Sequence, residues 1–223
     1  MDILFIGGTG FFGKAFLNYL KTNSKKNISS ITVTGRSVEN FLLHNKEFVD
    51  LKNVSYKSCN ILEDLSILKD HHYSHIIHAA ADSTNVTDLS NIHRYEQIVT
   101  GTKNVLNFIR DHTPQSKLLF ISSGGIYGKM PNHKTSFIES DIYESDILDP
   151  SNVYSLSKRT AEHLCSLYYQ EHNLKISIAR CFSFSGIHLP LNVHFAIGNF
   201  VHSAINNNDI FIKGDGKSIR SYL

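Results

Sequence analysis

The first sixteen residues, MDILFIGGTGFFGKAF, constrain the fold more than any other stretch. Asp2 to Ile6 is a short apolar run, suited to a strand buried on both faces of a parallel sheet. Glycines follow at once, and then Phe12, Phe16, Leu17 and Leu20 recur at helical spacing. Strand, tight turn and helix in that order make a βα unit, and the turn admits two readings. Gly7, Gly10 and Gly13 form G-x-x-G-x-x-G, whose glycines let the backbone approach a pyrophosphate at a helix N-terminus that favours negative charge. Gly8, Gly13 and Lys14 form G-x-x-x-x-G-K, most of a nucleoside-triphosphate P-loop. A P-loop needs Ser or Thr after the lysine to ligate magnesium, and Ala15 has no oxygen to offer. The dinucleotide reading lacks nothing, although a glycine turn alone is a weak signal and a turn without a ligand is the bland alternative.

The remainder of the chain repeats the βα alternation. Strands are predicted at Ile3–Ile6, Ile31–Thr34, Val54–Ser58, His75–His78, Leu118–Ser122 and Ile176–Ala179. Helices are predicted at Phe11–Leu20, weakly near Glu63–Lys69, and at Ile92–Asp111, Tyr154–His172 and His194–Asn206. Such alternation implies an α/β fold, a doubly wound parallel sheet covered on both faces, with strand order 3-2-1-4-5-6 and ligands at the carboxyl ends of the strands. Lys129 to Pro150 is polar and acidic, with Glu139, Asp141, Glu144, Asp146 and Asp149, and is predicted to be a long surface loop of functional or mobile character.

Composition narrows the function classes. The 223 residues, 41% hydrophobic, suffice for one sizeable core, or one core plus a small annex. A net charge of +2 argues against a nucleic-acid binder. The 13 His residues are scattered, and His71, His72 and His75 at the start of a strand suit solvated positions better than metal ligation, so no metal site is expected. Cys59, Cys165 and Cys181 are odd in number and far apart, which fits free thiols in a reducing compartment. No apolar run approaches the ~20 residues that cross a bilayer. The first strand begins at residue 2, which leaves no room for a signal peptide. A cytoplasmic protein without membrane contact is the expectation.

Two further motifs carry chemistry. Tyr154 and Lys158, in YSLSK, stand four apart on one helix face. A phenol titrates near pH ~10 unperturbed, and a nearby ammonium lowers that value toward use as a base. A surface Tyr-Lys pair is the plain alternative. In LLFISSGGIYG, Leu118 to Gly128, a buried strand delivers Ser122 and Ser123 to its carboxyl end, facing the ligand crevice. Ser123 can hydrogen-bond a substrate alcohol and share its proton with the tyrosine, or else cap a turn.

In this order, the glycine turn, Ser123 and Tyr154-x-x-x-Lys158 together resemble the extended short-chain dehydrogenase/reductase family of nucleotide-sugar epimerases and dehydratases. IIHAAA (Ile76–Ala81) resembles the family's His-x-Ala-Ala stretch, and VTGTKNVL (Val99–Leu106) its Gly-Thr-x-Asn helix segment. ARCFSFSG (Ala179–Gly186) is similar to its Arg-x-x-Asn-x-x-Gly stretch, and IKGDGKSIRSYL (Ile212–Leu223) to its Gly-x-Gly loop with a following arginine. The resemblance implies a cofactor site of Gly7, Gly10, Phe11, Phe12, Gly13, Arg36, Asn60, Ile61, His78, Ala79, Ala80, Ile121, Tyr154, Lys158 and Cys181. It implies catalysis by Ser123, Tyr154 and Lys158, and substrate contacts from Ser123, Gly124, Ser183, Asn199 and Arg220.

Departures from the family pattern qualify these expectations. Dehydratases of the family carry Asp-Glu after the catalytic hydroxyl, where this chain has Gly124 and Gly125, so dehydration is not expected. Gly35 stands where NAD-specific members hold the ribose with a carboxylate, and Arg36 beside it could pair with a 2′-phosphate, so NADP is favoured and NAD is the alternative. Ile98 and Ser183 replace asparagines. The sequence ends within the family's Arg-x-Tyr stretch, which predicts an NAD(P)-binding Rossmann domain over 1–186 and an incomplete substrate-binding region over 187–223. The implied activity is an epimerase acting on a nucleoside-diphosphate sugar through a keto intermediate, with a reductase of a keto sugar as the alternative. A truncated, non-catalytic dinucleotide-binding protein is the alternative of another class. A homodimer or other self-association is expected.

Overall fold

A computed structural model describes residues 1–23, 27–81, 89–191, 193, 195–212, 214–216 and 221–222. Six strands form one parallel sheet: β1 (Asp2–Ile6), β2 (Ser30–Gly35), β3 (Val54–Ser58), β4 (His75–His78), β5 (Lys117–Ser123) and β6 (Lys175–Cys181). Their order is β3-β2-β1-β4-β5-β6, as the alternation predicts. The register places Ile6 beside Thr34 and His78, and Ser123 beside Cys181. The carboxyl ends of all six strands therefore lie along one rim, where the order reverses between β1 and β4.

The described residues form five α-helices: α1 (Phe11–Thr22), α2 (Val38–His44), α3 (Asn91–His112), α4 (Val153–His172) and α5 (Ala196–Ile205). The period-2 alternation of β1 splits the core. Leu4 and Ile6 face one layer with Ile76, Phe120, Ile98, Leu106 and Cys165, whereas Ile3 faces the other with Ile31, Val33, Leu17 and Phe41. α3 and α4 cover the first face, and α1 and α2 the second.

Three expectations are corrected. α2 is a seven-residue helix where none was predicted, because only Val38 and Phe41 are buried along it and so short a run has little period to read. The weak helix at Glu63–Lys69 is a single 3₁₀ turn, Ser66–Leu68. The sheet is not covered on both faces throughout, since Ile178 of edge strand β6 is 40% exposed. Beyond α5, the described residues form no strand apart from an isolated bridge between Ser183 and Tyr222.

The acidic stretch before α4 is pinned to the sheet. Arg159 Nε donates to Ile126 O at 2.6 Å, and its Nη2 donates to Tyr143 O at 2.7 Å. Arg180 Nη1 donates to Glu139 O at 2.6 Å, and Lys134 pairs with Asp141 at 2.7 Å. No helix among the described residues is long and apolar enough to cross a membrane.

Candidate active site

The glycine turn lies between β1 and α1, and its glycines act differently. Gly7 has φ +77°, and a Cβ there would stand 2.6 Å from the backbone of Ala80. A Cβ on Gly13 would lie 1.8 Å from Gly8 O, so only glycine lets the helix start against the turn. Gly10 caps α1, and its carbonyl accepts from Lys14 N at 2.9 Å. Lys14 extends its ammonium over the Phe41 ring, 5.9 Å from the centroid, away from the turn, which removes the P-loop arrangement.

A cleft opens at the rim beside this turn. It is lined by Gly7, Thr9, Gly10, Gly35, Arg36, Cys59, Asn60, Ile61, Ala79, Ala80, Ala81 and Gln97. The β1–α1 turn, the ends of β2 and β3, the stretch after β4 and one face of α3 all converge there. Small side chains leave backbone exposed along the turn and across Ala79–Ala81, as an extended phosphate-bearing cofactor requires. Among the described residues, no carboxylate lines the cleft at the end of β2. A Cβ on Gly35 would lie 2.4 Å from Thr9 Oγ1 and 2.6 Å from its Cγ2, so the threonine occupies the space of a side chain there.

Of the residues predicted for the cofactor, Gly7, Gly10, Arg36, Asn60, Ile61, Ala79 and Ala80 line the cleft. Phe11 and Phe12 sit in the first turn of α1, where Phe12 meets Phe184 edge-on at 4.9 Å and Phe11 lies 6.2 Å from it. His78 is 1% exposed, shares a 3.1 Å hydrogen bond with Thr102 and packs on Phe120, and it is not among the residues that line the cleft. Burial, with a smaller contribution from the Lys158 charge, pushes its pKa down to about 3. Thr9, Cys59, Ala81 and Gln97 also line the cleft. Spacing could not reveal them, although Thr9 lies inside the glycine motif itself.

Ser123, Tyr154 and Lys158 come together at the ends of β5 and α4. Ser123 Oγ accepts from Gly125 N at 3.1 Å. Burial holds the Tyr154 phenol above its ordinary value, while the nearby Ser123 hydroxyl and the Arg94 charge oppose that rise. Lys158, 3% exposed, donates from Nζ to Ile121 O at 2.7 Å and lies 4.8 Å from the Phe120 centroid. Burial pushes its pKa down to about 8. Ile121 thus acts through its backbone. Cys181, opposite Ser123 across the β5–β6 pair, adds a thiol whose pKa burial raises and the Lys158 charge lowers.

Of the predicted substrate contacts, Gly124 is buried next to Ser123: a Cβ there would meet the Phe182 ring at 2.6 Å, and Phe182 stacks in turn on Tyr127 and Phe137. Ser183 bridges to Tyr222, and Asn199 is exposed on α5. Arg220 lies outside the described residues.

Residues 3–223 match the model of the NAD dependent epimerase/dehydratase family, and the chain belongs to that family. It is 30% identical over 233 residues to the dTDP-D-glucose 4,6-dehydratase of Dictyostelium discoideum, covering 99% of this chain and 52% of that protein. It is 28% identical over 231 residues to the low-salt glycan biosynthesis protein Agl12 of Haloferax volcanii, covering 100% of this chain and 69% of that one. Among solved structures, a dTDP-glucose 4,6-dehydratase from Bacillus anthracis in complex with NAD superposes with a TM-score of 0.81 at 24% identity, covering 100% of this chain and 67% of that one. A UDP-glucuronic acid 4-epimerase from Bacillus cereus, in complex with UDP-glucuronic acid and NAD, gives 0.79 at 20% identity, covering 100% and 68%. At those identities the likeness is one of fold.

Proposed function

We propose that this chain is the dinucleotide-binding and acid–base part of an NADP-dependent epimerase of a nucleoside-diphosphate sugar, working through a keto intermediate. The observation that carries this reading is the placing of the Ser123 hydroxyl by the Tyr154 phenol, with buried Lys158 one turn further along α4 and the cleft at the strand ends beside them. When bound, the nicotinamide would supply the hydride acceptor and donor. Gly7, Gly10, Ala79 and Ala80 would hold the pyrophosphate side of the cofactor close to backbone. Tyr154 Oη would take the proton of the reacting sugar hydroxyl, and Ser123 Oγ would hold that oxygen in line. Lys158, when protonated, would favour the phenolate. After the carbon has become a ketone and turned its other face, Tyr154 would return the proton as the alcohol re-forms.

Gly124 and Gly125 carry no proton donor or acceptor, and Phe182 fills the space above Gly124, so water elimination has no acid–base pair there. This speaks for epimerisation over the dehydration that several relatives are named for. A reductase of a keto sugar is the second reading, favoured by Arg36 in the cleft and Gly35 at the end of β2, which suit NADPH drawn from solution.

The test is proton NMR of a panel of nucleoside-diphosphate sugars incubated with the protein and catalytic NADP. An epimerase interconverts two sugars with no net NADPH consumed, whereas a reductase consumes NADPH stoichiometrically. Tyr154→Phe should bind the cofactor normally and lose turnover, because only the hydroxyl is removed. Wild-type turnover by the Phe variant would rule out Tyr154 as the acid–base group.

A further inference from the structure

Along α3, the residues turned into the protein recur every three or four positions: Arg94, Gln97 and Ile98, Gly101 and Thr102, Val105, then Phe108 and Ile109. An amphipathic helix fills such a stripe with apolar groups. Here its first two members are polar, and both are 7% exposed. Gln97 lines the cofactor cleft, so the polar end of the stripe points at the site.

Two hydrogen bonds fix how α3 lies against α4. Near their beginnings, Asn91 Nδ2 donates to Pro150 O at 3.3 Å. Near their ends, Tyr168 Oη donates to Asn107 Oδ1 at 2.6 Å. The helices therefore run parallel, with partner positions separated by 59 residues at one end and 61 at the other. Interpolation at a rise of about 1.5 Å per residue brings Arg94 level with Tyr154. Arg94 is one turn past Asn91 on the same face, and Tyr154 is about one turn past Pro150.

We propose that Arg94 is a second cation of the catalytic site, a positioning residue that acts on the Tyr154 phenolate from α3 while Lys158 acts from α4. This rests on the reading of Tyr154 as the acid–base group. The groups that bear on the phenol are Ser123 from β5, Cys181 from β6 and Arg94 from α3, and Lys158 follows one turn along its own helix. Ser123 and Arg94 favour the phenolate, and Cys181 opposes it. The two cations differ in kind. Lys158 is buried with its proton shared toward Ile121 O, and it gives that proton up at about pH 8. A guanidinium stays charged at every pH at which a protein is folded.

The experiment is an ultraviolet titration of phenolate, which needs neither substrate nor turnover, so an inactive chain leaves it intact. Subtracting the curve of Tyr154→Phe from that of the unmodified protein isolates Tyr154 among the other tyrosines. The same subtraction in an Arg94→Gln background should place the Tyr154 midpoint about one pH unit higher, the size of an opposite charge removed at close range. Arg94→Lys, which restores a charge, should recover most of that shift. Arg94→Met, which keeps the aliphatic stem, is the second neutral variant should the glutamine form not fold. A Tyr154 midpoint unmoved in a folded neutral variant overturns the proposal. So does an equal shift in Arg94→Lys and Arg94→Gln, since charge would then not be the cause.

Discussion

At the scale of single residues, the site is built from groups held away from their comfort in water. Lys158 is the plainest case. Its pKa falls from an ordinary lysine value to about 8 because the folded protein buries the ammonium. Below pH 8 that burial opposes folding, and the penalty is relieved as pH rises toward the unfolded value, because the unfolded chain then binds the extra proton. Lys158→Met should therefore raise the thermal midpoint at pH 7 by several degrees, from about 3 kcal/mol of relieved penalty. The advantage over the unmodified protein should shrink between pH 8 and 10 while hydride transfer is lost throughout. A midpoint equal to or below that of the unmodified protein at pH 7 would show that the Ile121 hydrogen bond outweighs burial. At the other end of the cleft, a Cβ on Gly35 would come 2.4 Å from Thr9 Oγ1. NADPH should bind more tightly than NADH, and Arg36→Ala should remove most of the difference, about 1.5–3 kcal/mol for a charged hydrogen bond. Gly35→Asp alone should weaken both cofactors, because the new side chain strikes Thr9. Only Thr9→Ala with Gly35→Asp should turn the preference to NADH in calorimetric titration. The places of Tyr154 and Lys158 on α4 and of Ser123 at the end of β5 could be read from the sequence, because helical spacing and a strand end declare them. Arg94 could not, because a polar residue on a helix reads as solvent-facing until the packing shows otherwise.

At the scale of elements, what holds Ser123 and Tyr154 in place is a polar junction between β5, β6, α4 and the acidic loop. Glu162, one turn beyond Lys158, accepts from Ser122 Oγ and pairs with Arg180 at 2.9 Å. Arg180 also reaches Glu139 O and lies 5.1 Å from the Tyr127 ring centre, and its guanidinium is held above its ordinary value chiefly by Glu162. Both members are largely buried, with side chains 11% and 24% exposed. Removing one partner strands the other's charge, so Glu162→Ala and Arg180→Ala should each cost about 3 kcal/mol in urea unfolding. The double variant should lose clearly less than the sum, since the second removal relieves the stranded charge. Additive losses would mean the two residues act separately. The βα alternation made the strands and long helices legible to within a residue or two, because each repeats its period several times. The junction was not legible, since Ser122, Glu162 and Arg180 are brought together only by the sheet order, and the acidic stretch read as a loose loop for want of its partners.

At the scale of the whole molecule, the two halves of the sequence differ in how well they bury what they contain. The Rossmann part closes two apolar layers around the sheet, with Leu4, Leu17, Val33, Phe48, Ile76, Leu106 and Ile109 fully enclosed. The described residues from α5 onward do the reverse. Gly198 is the buried residue of α5, while Val201, Ile205, Ile210, Phe211 and Ile212 are 43%, 65%, 50%, 77% and 64% exposed. The exposure is largest at Phe211 and Ile205. Apolar area left in water favours association in proportion to what contact removes. In sedimentation velocity this chain is therefore expected to self-associate with rising concentration. Ile205→Ser with Phe211→Ser should shift it toward monomer without changing its affinity for the cofactor, because both residues lie outside the cleft. If the double variant associated as strongly as the unmodified chain, the contact would have to come from elsewhere, and the exposed residues of the acidic loop, Ile142, Ile147 and Leu148, would be the next to replace. If the double variant lost cofactor affinity along with association, the cleft and the C-terminal region would be coupled, and the Rossmann part would depend on the contact it makes through α5.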